Sequence, residues 1–181
     1  MRFTVKKLTL LAWLTAAALV VFIIEAQIPL PIPVPGAKLG LANTITLFAL
    51  FYGYDKDSGK IGLTAADALM ILVCRIILGA VFTGRIVALI YSAAGGTLSF
   101  AVQAALRRFV TRKQIWAVGA VGAVFHNIGQ IAAAVLVTGS PAIAAYLPVL
   151  IVVGITTGVI TGSVAQFTLA RISPLTPAQR K

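Results

Sequence analysis

Charged side chains are scarce in this chain: they make up 10% of its 181 residues, and only four are acidic. A soluble domain carries about a quarter charged residues, so this one lacks the polar surface that water requires. Cysteine is nearly absent as well. The single thiol, Cys74, lies within an apolar run, which excludes an internal disulfide and a cysteine-based metal site and leaves a small core thiol. One histidine and four carboxylates offer few acid–base pairs, and no serine, histidine and aspartate set is arranged for nucleophilic attack. Gly95-Gly96 is not followed by the lysine of a nucleotide-binding loop. The expectation is a protein that is not an enzyme and holds no cofactor or metal. The net charge of +11 does not point to nucleic acid, because neither a basic helix nor a patch of stacking aromatics accompanies it.

What the chain has is hydrophobicity, at 60% of residues, gathered into runs of membrane-spanning length. The runs predict one all-α domain over 1–181, a bundle of six transmembrane helices in the lipid bilayer at about 8–28, 39–54, 64–82, 86–106, 115–138 and 142–170. The first, preceded by Arg2, Lys6 and Lys7, begins as a secretory signal does, but it is longer than a signal core and is expected to be a retained helix. Between the first two spans, alternating prolines from Pro29 to Pro35 forbid a helix and suit either a lid over a pocket or a rigid loop. The turn from Asp55 to Lys60 has the opening spacing of a calcium loop, but Ala66 stands where a bidentate glutamate belongs, so it reads as a solvated turn.

Cations mark orientation. If the N-terminus is inside, the cytoplasmic segments hold Arg2, Lys6, Lys7, Lys56, Lys60, Arg107, Arg108, Arg112, Lys113, Arg171, Arg180 and Lys181. The outer side then holds only Lys38 and Arg85. That bias predicts cytoplasmic termini in a multi-pass protein of a prokaryotic cell membrane.

Polar groups inside the spans are the candidate site. A charge at the bilayer centre costs about 2.5–3.5 kcal/mol even on the lenient insertion scale, so it faces a partner or a wet cavity. Arg75 and Asp67 lie eight apart on the third span, on nearly one face, and suit either a structural pairing through a neighbour or a ligand. His126, Asn127 and Gln130 sit mid-span on the fifth and are expected to point together toward a ligand, with interhelical hydrogen bonding as the alternative. Lys38, Asn43 and Arg85 fall at outer ends of spans, near Glu25. A watery recess lined by these groups, reached from outside, would favour a carboxylate or phosphate ligand. Small residues form steps at Ala12 and Ala16 and at Gly154, Gly158 and Gly162, which allow close helix approach.

Several strings together are similar to one family. Pro35-Gly36-Ala37-Lys38-Leu39-Gly40-Leu41-Ala42-Asn43, Arg75-Ile76-Ile77-Leu78-Gly79, Tyr91-Ser92-Ala93-Ala94-Gly95-Gly96 and the stretch from Gly122 to Gln130 resemble the Gx transporter family. Its members are often labelled component I of heptaprenyl diphosphate synthase and look like S components of energy-coupling-factor transporters. The resemblance implies a six-helix S-component fold with cytoplasmic termini and a small-molecule substrate held near the outer surface under the loop joining the first two helices. It implies partners too: a coupling transmembrane protein, docked on the first helix at Ala12 and Ala16, and two ATPase subunits. Substrate identity does not follow from it. A non-catalytic membrane subunit in isoprenoid or quinone synthesis is the alternative. Catalysis of prenyl transfer needs clustered aspartates for magnesium and diphosphate, and Asp55-Lys56-Asp57 is not such a cluster. A scaffold in an electron-transfer assembly is a weaker third reading, since no cofactor ligands are evident.

Overall fold

Apolar runs of about 20 residues can satisfy their backbone in lipid only as helices, and helices are what the chain forms. The computed structural model describes residues 5–28, 39–52, 63–84 and 86–172, and among these there is no strand. The helices are α1 (Val5–Glu25), α2 (Asn43–Phe51), α3 (Ala65–Thr83), α4 (Ile86–Leu106), α5 (Ile115–Thr138) and α6 (Leu147–Ile172). All but α2 are long and apolar enough to cross a membrane, α6 together with the 3-10 turn Pro141–Tyr146 that leads into it. The proline segment, the turn from Asp55 to Lys60, and both Lys38 and Arg85 lie outside the described residues.

The second element is shorter than its apolar run suggested. It has nine residues, about 13.5 Å of helix, against a hydrocarbon layer of about 30 Å. Gly40, at a φ of 79°, makes the turn that precedes it, and Tyr52 leaves it in extended geometry. Seven of its nine residues are buried, so the protein rather than lipid surrounds it.

Contacts at its two ends fix the direction of the first three helices. Lys7 near the start of α1 pairs with Asp67 near the start of α3 at 2.8 Å. Farther along, a Cβ added to Gly79 of α3 would fall 2.5 Å from the Phe22 ring of α1. The two helices therefore run the same way. At the far end the Glu25 carboxylate accepts hydrogen bonds from the Gly40 and Ala42 amides; at the near end the Leu63 amide donates to the Tyr52 carbonyl at 3.0 Å. The chain from Gly40 to Tyr52 thus returns from the Glu25 end to the Asp67 end. Thr64 and Asp67 start α3 with a reciprocal capping box, and Gly84, at a φ of 64°, ends it.

Helix α5 is the centre of the other half. Gly154, Gly158 and Gly162 on α6 meet Asn127, Ala123, Ala120, Gly119 and Trp116 on α5 closely enough that a Cβ on any of them would come within 2.8 Å of an α5 atom. The glycine stripe is therefore an internal seam. Apolar packing forms two clusters: one at the Asp67 end with Leu11, Leu50, Phe51, Leu63, Ile71 and Leu169, and one with Tyr91, Ile131, Ala134 and Leu150. Arg75, Asn43, His126, Asn127 and Gln130 are the buried polar residues that concern the site.

Candidate functional site

Asn43 is the hub. The Gly40 turn, closed by an Asn43 amide donating to the Gly40 carbonyl at 2.9 Å, sets it at the first position of α2, where its side chain enters the bundle. The Arg75 guanidinium donates from Nη2 to Asn43 Oδ1 at 3.1 Å. Asn43 Nδ2 lies 3.0 Å from His126 Nδ1. Three helices far apart in sequence, α2, α3 and α5, are joined by this chain. Phe22 of α1 completes the setting, with its ring centroid 5.7 Å from Arg75 Cζ, a cation–π distance.

The glycines of α4 form the facing wall. A Cβ on Gly95 would lie 2.7 Å from the His126 carbonyl oxygen and 2.9 Å from both His126 Nδ1 and Gln130 Cγ. One on Gly96 would be 3.7 Å from Arg75 Nη2. Hydrogens in place of methyl groups let α4 close on the polar residues.

The expected grouping on α5 divides. His126 and Gln130 face α4, as their spacing of four predicts, but Asn127 turns to α6 and donates to the Leu150 carbonyl at 2.6 Å. Arg75 and Asp67 separate too: Asp67 is engaged by Lys7 and by Thr64, and takes no part in the cluster. Arg75, Asn43, His126, Asn127 and Gln130 are all buried. Ala12 and Ala16 are exposed on the outward side of α1, beside Trp13 and Val20.

The electrostatics are lopsided. Arg75 is 2% exposed, and among the described residues its partners are the neutral Asn43 amide and the Phe22 ring. Glu25 is near enough to act on it through space, but its two oxygens accept from the Gly40 and Ala42 amides. Arg75 Nε and Asn127 Oδ1 are buried with no hydrogen-bond partner among the described residues. Beneath Asn43 a cavity of about 10 Å³, bounded by Gly40, Leu47, Gln103, Gly119, Ala123 and Thr161 among others, has room for a single water. It is not a metabolite-sized recess; Arg75, Asn43 and His126 bond one another across the space that the sequence suggested would be wet.

Five contributors carry little signal of their role in the sequence. Glu25 was placed at the right end but not as an acceptor for the α2 entry. Phe22, Gly95 and Gly96 were passed over because an aromatic and a glycine pair inside apolar helices carry no polar signal. Gln103, 3% exposed, was legible in principle as an amide within an apolar span.

Residues 14–168 match the family described as heptaprenyl diphosphate synthase component I. No curated protein and no solved structure matches the chain. The matched stretch takes in every residue of the cluster, from Phe22 to Leu150, and the chain is a membrane protein of the heptaprenyl diphosphate synthase component I family.

Proposed function

We propose that this chain is the substrate-binding membrane subunit, or S component, of an energy-coupling-factor importer for a small anionic compound of the vitamin or cofactor-precursor kind. The observation that carries the reading is Arg75: a guanidinium sealed within the bundle, its Nε without an acceptor and no carboxylate in contact with it among the described residues. A buried cation in that state is costly unless something else supplies an acceptor, and a carboxylate or phosphate supplies two. His126, Asn43 and Gln130 are close enough to complete such a site, with Lys38 and Arg85 as further cations. Because Asn43 bonds both Arg75 and His126, a ligand that engages either of them has to part that chain.

The surrounding architecture fits. With the Asp67 end at the cytoplasm, as the bias in basic residues favours, α1 and α3 both run outward and the short, protein-enclosed α2 runs back toward the Asp67 end, which suits an S component with both termini inside. The cluster then lies in the outer half. Ala12 and Ala16 are exposed where a coupling subunit would dock, and two ATPases would supply the energy that this chain, read as non-catalytic, does not.

Native mass spectrometry of the purified chain tests this. A retained anionic metabolite, together with co-purification of a coupling protein and two ATPases, is expected; a chain that retains nothing and recovers no such partners counts against it. A second reading, a non-catalytic subunit in prenyl diphosphate synthesis, is favoured by the family description alone. Prenyl elongation that depends on adding this chain to a catalytic partner would support that instead.

A further inference from the structure

We infer that Asn43 is a positioning residue that fixes the proton of His126 on Nε2. A guanidinium has donors and no acceptor, so the Asn43 atom 3.1 Å from Arg75 Nη2 is the amide oxygen. That places the amide nitrogen 3.0 Å from His126 Nδ1. An amide nitrogen likewise only donates, so Nδ1 accepts, carries no hydrogen, and leaves the imidazole neutral with its hydrogen on Nε2. Polarity therefore runs one way, from Arg75 through Asn43 to His126.

The surroundings hold that order. Gly95 presses on Nδ1 from α4, where a Cβ would be 2.9 Å away, and Gly40 lies against the opposite edge of the ring, with its own imagined Cβ 3.2 Å from Cδ2. The ring is closely flanked by glycine backbone on both edges. The relay thus begins at a charged donor, the Arg75 guanidinium, whose Nε has no hydrogen-bond partner among the described residues. Resting on the transport reading above, that end suits a ligand group that only accepts, such as a carboxylate or phosphate, and selects against an ammonium.

His126 is the chain's one histidine, so labelling with 15N-histidine gives the imidazole spectrum of this residue alone. In the ligand-free chain in lipid nanodiscs, Nδ1 is expected to resonate as a bare, hydrogen-bonded nitrogen and Nε2 as a protonated one. Nδ1 carrying hydrogen, alone or together with Nε2, overturns the assignment. The Asn43→Asp variant puts an acceptor opposite Nδ1, and the Nδ1 resonance should move to the protonated position; an unchanged spectrum in that variant also overturns it. A chain that retains no metabolite yet shows a bare Nδ1 sinks the transport reading and leaves the relay standing, and a protonated Nδ1 in a metabolite-retaining chain does the reverse.

Discussion

Both ends of α1 meet a buried carboxylate, and the two are treated in opposite ways. At one end Asp67 is closed: Lys7 pairs with it at 2.8 Å and Thr64 donates to it from both amide and hydroxyl. At the other end Glu25 accepts backbone amides, and the nearby cation, Arg75, is handed to a neutral amide and an aromatic face. A closed pair with a capping box locks two helix starts together: the Asp67 charge is matched by Lys7, although its second oxygen, Oδ1, takes no hydrogen bond among the described residues. A guanidinium bonded to a neutral amide, with its Nε unpartnered among the described residues, keeps its capacity for a further acceptor. Burial alone does not distinguish the two, since Asp67 and Arg75 are both nearly inaccessible; what differs is whether each charge already has its complement.

The largest expected effect tests the open end. Arg75→Ala should reduce metabolite retention at least about 100-fold, roughly 3 kcal/mol, the scale for deleting one member of a buried charged contact. The bundle should still elute as a monodisperse, helical species. Arg75→Lys should recover only part of the loss, because an ammonium lacks the planar fork. If Arg75→Ala instead aggregates, Arg75 belongs with Asp67 as a structural group and the contrast fails.

Next comes the wall. Gly95→Ala places a methyl carbon 2.7 Å from the His126 carbonyl oxygen, a main-chain atom that cannot swing aside. Overpacking a core costs about 1–3 kcal/mol, and this site should fall at the upper end, read as a lowered thermal midpoint together with weakened ligand retention. At the closed end, Asp67→Asn should cost about 2 kcal/mol, between the values for exposed and fully buried pairs, because Lys7 keeps partial contact with solvent. Thermal unfolding should register that loss while metabolite retention stays as in the wild type. Loss of ligand from Asp67→Asn would erase the distinction between the two ends.

How much of this was legible in the sequence depends on what sets each feature. The long helices were, since hydrocarbon leaves an apolar run of about 20 residues no other backbone structure, and the signals that end α3, such as Gly84, are local. The length of α2 was not: its residues are as apolar as the rest, and its limits are the Gly40 turn before it and the extended Tyr52 after it, which hydropathy does not report. Arg75, His126 and Gln130 stood out because polar groups in apolar runs are few. Their partners did not, since whether Asn127 faces α4 or α6 depends on the register of α5 against both, a difference of one residue around the helix. The Gly95-Gly96 pair was visible only as a failed phosphate loop, and its use as a wall appears once α4 is set against α5.

The smallest effect on the isolated chain belongs to the face of α1 that points away from all of this. Ala12 and Ala16 are exposed and lie one turn apart, flanked by Trp13 at 73% exposure and Val20 at 55%. A bulky side chain there meets lipid and not protein, so Ala16→Leu should change neither the thermal midpoint, within about 0.5 kcal/mol, nor metabolite retention. Under the proposed function the same substitution fills the shallow step through which a partner helix approaches, and ATP-driven uptake by the assembled complex should fall steeply with co-purification of the coupling subunit. Uptake that survives Ala16→Leu and its Ala12→Leu counterpart would show that the partner docks elsewhere, leaving the α1 surface as plain lipid contact.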